Sequence, residues 1–267
     1  MFSHANRRKL MTVRILVPVK RVVDPNVRVR VSAAGAIETA GLKMSLNPFD
    51  ECALEKALQL KEAGVASHVT VLTCGLPAHQ DVLCTALAMG ADDAVLIDTG
   101  AATATLDSLA VARLLAAHIK EAEYSLVLCG KQAIDGDVGG VAAMLAALLG
   151  WPQALNASAL DAIDGGWRAS CGDDAGTATW QLDGPAVVSA DLRLAEPRRV
   201  TLPSIVKAKQ KQLATREAAS LGGVSSARSH VLKLNDPPVR EPGVKVDDVG
   251  ALIAALADRR VFESVGV

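Results

Sequence analysis

Four short apolar runs, each ending in a charged or small residue and each followed by a stretch of helical periodicity, restrict this chain to a narrow set of folds. They are residues 13–20 (VRILVPVK), 68–75 (HVTVLTCG), 94–98 (AVLID) and 125–130 (SLVLCG). Runs this apolar, without polar alternation, read as parallel strands buried on both faces. The stretches between them read as helices. In residues 47–64, Phe49, Ala53, Ala57 and Leu60 share a face with Leu54 and Leu58, whereas Glu51, Glu55 and Lys61 lie elsewhere. Asn47 is placed to cap this helix, Pro48 to open it, Asp50 to favour its N-terminal dipole and Gly64 to end it. Further helices are expected over residues 78–89, over 109–121 after the capping residue Asp107, and over 139–149. Strict alternation of this kind implies a doubly wound α/β sheet. Half of the 267 residues are hydrophobic but only 3% are aromatic, so the core must be built from Ala, Val, Leu and Ile.

After Trp151-Pro152 the pattern changes. Residues 161–170, 177–182 and 185–192 are shorter strand-like pieces, with turn signals at Asp164-Gly165-Gly166 and Asp183-Gly184, and read as an antiparallel extension. From Glu196 onward the chain carries Pro197, Pro203, Pro237, Pro238 and Pro242 with few apolar runs, too little to close a core of its own. The expected organisation is a poorly structured extension over 1–12, an α/β domain over 13–195, and over 196–267 an arm lying on something else. No internal repeat of solenoid period is visible.

Several function classes are disfavoured. Twenty-eight basic residues face 29 acidic ones, a net charge of −1, which gives no global attraction to nucleic acid or anionic membrane. Cys52, Cys74, Cys84, Cys129 and Cys171 are odd in number and never spaced as CxxC, which argues against a disulfide framework or a zinc site and for a reducing compartment. Cys52 and Cys84, within helices, and Cys74 and Cys129, at strand ends, read as small buried hydrophobes. His4, His68, His79, His118 and His230 are scattered without carboxylate companions, so no metal centre or triad is expected. No apolar run reaches the ~18–20 residues that span a bilayer. The opening MFSHANRRKLM lacks the apolar core of a secretory signal, and Met1 and Met11 are both candidate starts.

The richest stretch is residues 127–150, VLCGKQAIDGDVGGVAAMLAALLG. A buried strand ends at Cys129-Gly130, a glycine-rich loop follows, and a small-residue helix begins near Gly139. Gly136, Gly139 and Gly140 can take positive φ and admit a ligand to the backbone, while free N–H groups and the helix dipole favour phosphate. Pro18, Cys74 and Gly130 each stand near a strand's carboxyl end, where ligands gather in open α/β sheets. A loop of this composition can equally serve only to turn the chain. Asp135 and Asp137 would repel a phosphate and read as turn and cap formers. GxxxxGK[ST] and GxGxxG are absent, which favours binding over turnover.

Six segments together resemble the β subunit of electron-transfer flavoproteins: VPVKRVVD, SLNPFDECALEKALQLKE, ALAMGADDAVLID, LCGKQAIDGD, GWPQ and PAVVSADLRLAEPRRVTLPSIVKAKQK. In order and spacing they cover nearly the whole chain from about Val13 to Val246. The resemblance implies a doubly wound, mainly parallel sheet of the adenine-nucleotide α-hydrolase-like type, with an antiparallel extension and a C-terminal arm. It implies a non-catalytic subunit of an obligate heterodimer, with FAD held mainly by an α subunit and a structural AMP held here. It also implies electron transfer between acyl-CoA and related dehydrogenases, as in fatty acid oxidation, and a membrane quinone oxidoreductase. The expected compartment is the bacterial cytoplasm, or the mitochondrial matrix in a eukaryote.

The positions that match the family's AMP contacts are Pro18, Asn47, Pro48, Phe49, Asp50 and Cys74, together with Gly130, Lys131, Gln132, Ala133, Ile134, Asp135, Gly136, Asp137, Val138, Gly139, Gly140 and Val141. Phe49 also matches a residue that approaches the flavin, although its periodicity alone makes it a core anchor. Two departures stand out. Gly139-Gly140-Val141 replaces an Asn-Gln-Thr found in well-known members, so backbone amides must take over there, and Pro25 replaces a Tyr near the flavin. The alternatives are a bifurcating-type subunit with a second FAD in place of AMP, or an adenine-nucleotide-dependent enzyme or sensor.

The segment RLAEPRRVTLPSIVKAKQK sets Arg198, Arg199, Lys207, Lys209 and Lys211 around Leu202, with Pro203 able to open a short helix. A solvated charged face is the plain reading. The family uses this segment to dock dehydrogenases, which implies an apolar anchor at Leu202, with Pro203, Ile205 and Lys207 beside it and the basic residues facing acidic surface. No aromatic is available there for base stacking.

Overall fold

A computed structural model describes residues 13–32, 35–100, 106–225, 227–228, 231–240 and 242–259. The expected N-terminal extension over 1–12, both candidate starts, His4 and His230 lie outside the described residues. The described residues fall into two compact units, one within residues 13–29 and 38–232, the other within 30–32, 35–37 and 233–259.

In the larger unit, β1 (Arg14–Pro18) runs into a small antiparallel pair, β2 (Arg21–Val23) and β3 (Met44–Leu46), and then α1 (Pro48–Glu62). The alternation continues through β4 (His68–Gly75), α2 (Gln80–Met89), β5 (Asp93–Asp98), α3 (Ser108–Lys120), β6 (Leu126–Gly130) and α4 (Val141–Leu149). The strands β7 (Gln153–Ile163), β8 (Gly166–Asp173), β9 (Gly176–Asp183) and β10 (Ala186–Ala190) follow, then α5 (Leu202–Ala208) and β11 (Leu213–Glu217). One nine-stranded sheet results, in the order β11-β5-β4-β1-β6-β10-β7-β8-β9. Pairing is parallel from β11 to β7 and antiparallel across β7, β8 and β9.

Burial on both faces explains the unbroken apolar runs. Successive residues of β1 serve opposite cores: Ile15 and Val17 pack with Leu54 and Ala57 of α1 and Leu83 and Ala86 of α2, whereas Leu16 packs with Leu114 and Leu115 of α3 and Leu145 of α4. The four expected strands therefore form as β1, β4, β5 and β6, and the doubly wound architecture is present.

The local differences have physical causes. The stretch at 185–192 contains not an antiparallel strand but β10, which inserts in parallel between β6 and β7. All five of its residues are buried, the pattern of a central parallel strand. β11 escaped notice because most of its residues are exposed, as suits an edge. α4 begins at Val141 rather than Gly139, because Gly139 sits at φ +63° and cannot be helical. Trp167 is buried and its Nε1 donates to the Ser125 carbonyl at 3.2 Å, but Trp180, on edge strand β9, is 55% exposed. Cys84 is exposed, not buried, and His68 does have a carboxylate companion, with Nε2 3.0 Å from Asp93 Oδ2.

In the smaller unit, α6 (Val249–Asp258) is capped by Asp248, whose carboxylate accepts from the Ala251 N–H at 2.8 Å, and Val249, Leu252 and Ile253 are exposed on it. Among the described residues, no helix is long and apolar enough to cross a membrane.

Candidate functional site

Strand order locates the first candidate site. The chain builds outward from β1 through β4 to β5, then returns to place β6 on the other side of β1, so a topological switch point lies between β1 and β6. In open α/β sheets ligands gather at the carboxyl ends of the strands beside such a point. Pro18 ends β1, Cys74 stands next to the end of β4 and Gly130 ends β6; residues 47–50 form the start of α1, and residues 131–141 connect β6 to α4. The structure thus brings all the expected nucleotide-contact positions to the carboxyl edge of three adjacent strands.

Their side chains are used differently from expectation. Asn47 is the first residue before α1 but makes no capping bond. Its amide instead staples the loop, with Nδ2 donating to the Gln132 carbonyl at 2.8 Å and Oδ1 accepting from the Ile134 N–H at 3.2 Å. Asp50 is buried, and its Oδ2 accepts from the Lys20 N–H at 2.8 Å. Burial pushes its carboxyl up to about 7, although bonds from the Lys20 N–H, the Asn47 side chain and the Gly130 N–H all favour the ionised form. Asp50 therefore supports the chain beneath the loop more than it favours the α1 dipole. Gly130 is required for the same reason: a Cβ there would lie 2.2 Å from Asp50 Oδ1 and 2.8 Å from Phe49 Cβ. Phe49 itself is only half-buried and belongs to neither core cluster, so the core-anchor reading of its periodicity does not hold.

The acidic residues of the loop act as turn formers. Asp135 pairs with Lys20 Nζ at 2.7 Å, which offsets its charge. Asp137 adopts φ +50° and its Oδ1 accepts from Gln132 Nε2 at 2.9 Å. Neither caps α4, whose preceding residue is Gly140. Lys131 faces Asp191 at 3.6 Å. Of the three glycines able to take positive φ, only Gly139 does so. Lys20 and Asp191 were missed as parts of this site: both lie within the segments quoted above, but nothing in the sequence pairs them with Asp135 and Lys131 of the loop.

What the loop offers a ligand is backbone. The N–H groups of Val138, Gly139 and Gly140 have no acceptor among the described residues, and the first N–H groups of α4 continue that row. Space is available too, for a Cβ at Gly136 would meet nothing within 4 Å, and Val138 is 72% exposed. A row of free N–H groups at a helix start fits an anionic group such as phosphate. Burial pushes the Cys74 thiol up to about 12 and that of Cys129 further, so both stay protonated and neither is a ready nucleophile. Among the described residues, no cluster of His, Cys, Asp and Glu could hold a metal ion.

A second candidate site is α5. Thr201 and Ser204 form a capping box at its start: the Thr201 hydroxyl accepts from the Ser204 N–H and the Ser204 hydroxyl accepts from the Thr201 N–H. Leu202 is 79% exposed and Val206 62%, with Ile205 beside them and Ala208 buried beneath. Pro203 occupies the second helical position, and Lys207, Lys209 and Arg199 are exposed. Arg198 and Lys211, expected among the outward basic residues, instead turn inward onto α1 and α2.

Comparison with known proteins places the chain. The profile of the electron transfer flavoprotein domain matches residues 34–221. The chain is 47% identical over 244 residues to "Electron transfer flavoprotein subunit beta" of Bradyrhizobium diazoefficiens, covering 91% of this chain and 97% of that protein. It is 42% identical over 247 residues to the subunit of the same name from Bos taurus, covering 92% and 97%, and 40% identical to that from Dictyostelium discoideum, covering 92% and 98%. With a family profile matching residues 34–221 and similarity of this extent from end to end, the chain belongs to the electron transfer flavoprotein β-subunit family.

Proposed function

We propose that this chain is the nucleotide-binding and docking subunit of a heterodimeric electron carrier. In this reading the residues from Gly130 to Val141 hold the phosphate of a structural AMP, and Phe49 meets a flavin carried mainly by an α subunit. The observation that carries the proposal is the row of unpaired N–H groups from Val138 into α4, at the switch point between β1 and β6. Because Asn47 and Asp50 are spent on protein bonds, recognition of the phosphate falls to the backbone. The flavin, when bound, supplies the acceptance and release of electrons. This chain's own residues shape its environment and present α5 to clients, with Leu202 entering an apolar pocket on an acyl-CoA or related dehydrogenase and Lys207 facing an acidic rim. Electrons then pass toward a membrane quinone oxidoreductase, in the bacterial cytoplasm or mitochondrial matrix. Residues 13–195 form the nucleotide-binding part and 196–267 the docking segment and arm.

Gly139→Val tests the phosphate site. A branched side chain is strained at φ +63°, and its Cβ would lie 3.3 Å from the Lys131 carbonyl, so the loop must shift and the N–H row with it. Nucleotide released by acid from the purified heterodimer is expected to fall well below stoichiometric, while flavin absorbance is retained. An unchanged nucleotide content would move the phosphate elsewhere.

A further inference from the structure

The helix that carries Leu202 is too short to stand alone. α5 has seven residues, and isolated helices below ~12–15 residues are marginal in water. Its capping box and the single buried side chain of Ala208 are modest supports for a ridge that exposes Leu202, Ile205 and Val206 at helical spacing.

Two long basic side chains bracket it. Four residues before Leu202, Arg198 reaches α1: Nε donates to Glu55 Oε2 at 2.7 Å and Nη2 to Glu55 Oε1 at 2.9 Å, a bidentate pair, and the Arg198 backbone N–H donates to Glu55 Oε2 at 3.2 Å. Nη1 and Nη2 also bond Glu62 Oε1 and Oε2 at 2.6 and 3.1 Å. Glu55 is buried, which by itself raises its pKa, but the hydrogen bonds from Arg198 outweigh that and hold the carboxyl below its ordinary value. Three residues after Ala208, Lys211 Nζ donates to the Leu87 and Ala91 carbonyls at 3.1 and 2.5 Å, closing the C-terminal end of α2. Both ends of the segment are therefore fixed by side chains turned onto α1 and the end of α2.

We propose that Arg198 is a positioning residue for docking: it holds α5 in the orientation a client dehydrogenase requires and acts through Leu202 without touching the client. The inference rests on the docking reading of α5 given above. Fixing a recognition element before binding removes the entropy that binding would otherwise have to supply, so loosening the bracket weakens association and leaves the bound state's electron transfer intact. Lysine keeps the charge of Arg198 but cannot reproduce the fork that holds two carboxylates.

The test is a two-by-two set of heterodimers, wild type, Arg198→Lys, Leu202→Ala and the double variant, reduced by a purified acyl-CoA dehydrogenase under steady state. Leu202→Ala is expected to raise the KM for the heterodimer by about 10- to 100-fold. Arg198→Lys should raise KM by about 3- to 10-fold with kcat and flavin content unchanged, and should add less than about 2-fold in the Leu202→Ala background, since coupled residues are not additive. Glu62→Gln, which removes only the exposed half of the bracket, should give a smaller rise of the same kind. If Arg198→Lys and Glu62→Gln both leave KM unchanged, or if Arg198→Lys acts equally in both backgrounds or lowers kcat, the positioning role is overturned while docking through Leu202 stands. If Leu202→Ala has no effect, the docking reading fails first and the inference falls with it.

Discussion

The loop after β6 and the helix α5 solve opposite problems with the same kind of chain. At the loop, side chains turn inward and bond protein: Asn47 to Gln132 and Ile134, Asp50 to the Lys20 N–H, Lys20 to Asp135. What remains facing outward is backbone N–H. At α5 a capping box takes up the Thr201 and Ser204 N–H groups, and what the helix turns outward is Leu202, Ile205 and Val206. A surface of amides is suited to a small anion whose shape is constant, and a ridge of apolar side chains to another protein. The two regions can therefore be damaged separately.

The largest expected effect is at the base of the loop. Gly130→Val puts a branched side chain where even a Cβ would lie 2.2 Å from Asp50 Oδ1. Overpacking of this kind costs about 3 kcal/mol. Both variants should lose nucleotide, but Gly130→Val should lower the thermal midpoint well beyond the fall that loop strain and nucleotide loss give Gly139→Val. Equal thermal midpoints in the two variants would remove the distinction between supporting and contacting residues.

Asp50→Asn comes next and reads the buried carboxyl. Its folded pKa, about 7, lies above the ordinary 3.8, so the folded state holds a proton that the unfolded state has released. Stability from this group is present in full below about pH 4, falls as pH rises toward 7 and is flat beyond, a change on the order of 2–3 kcal/mol between pH 5 and pH 8. The asparagine variant should lack that fall. Denaturant midpoints measured at pH 5, 6, 7 and 8 check the sign, and parallel curves for the two proteins would show that Asp50 does not titrate in this window.

The smallest effect belongs to the exposed charges near α5. Lys207→Glu should slow reduction by a client dehydrogenase a few-fold at low ionic strength and hardly at all at high salt, because exposed charges are screened beyond ~8–10 Å in physiological salt. Rates at two salt concentrations decide it. A salt-independent loss would make Lys207 a direct contact like Leu202.

The sequence made some of this legible and hid the rest for definite reasons. Strands β1, β4, β5 and β6 were visible because burial on both faces leaves an unbroken apolar run, and α1 because its apolar spacing persists over several turns. The LCGKQAIDGD loop was visible as a glycine-rich strand-to-helix junction. β11 was hidden because an edge strand needs few buried residues, and β10 was misread because an apolar pentapeptide does not declare its direction. Periodicity put Glu55 off the apolar face, and it lies buried, since a charge can be buried when a distant partner such as Arg198 neutralises it. The roles of Asn47 and Asp50 were hidden similarly: a residue before a helix reads as a cap until the loop 85 residues further on, which takes its bonds, is in view.

The central claim is that the switch point between β1 and β6 holds an adenine nucleotide by its phosphate while the flavin belongs mainly to the partner. It is tested most directly by acid release and chromatography of nucleotides from this chain purified alone and from the co-expressed heterodimer. The account predicts little or no flavin on the isolated chain, and one AMP with one FAD per heterodimer. Stoichiometric FAD on the isolated chain, or two FAD and no AMP in the heterodimer, would contradict it.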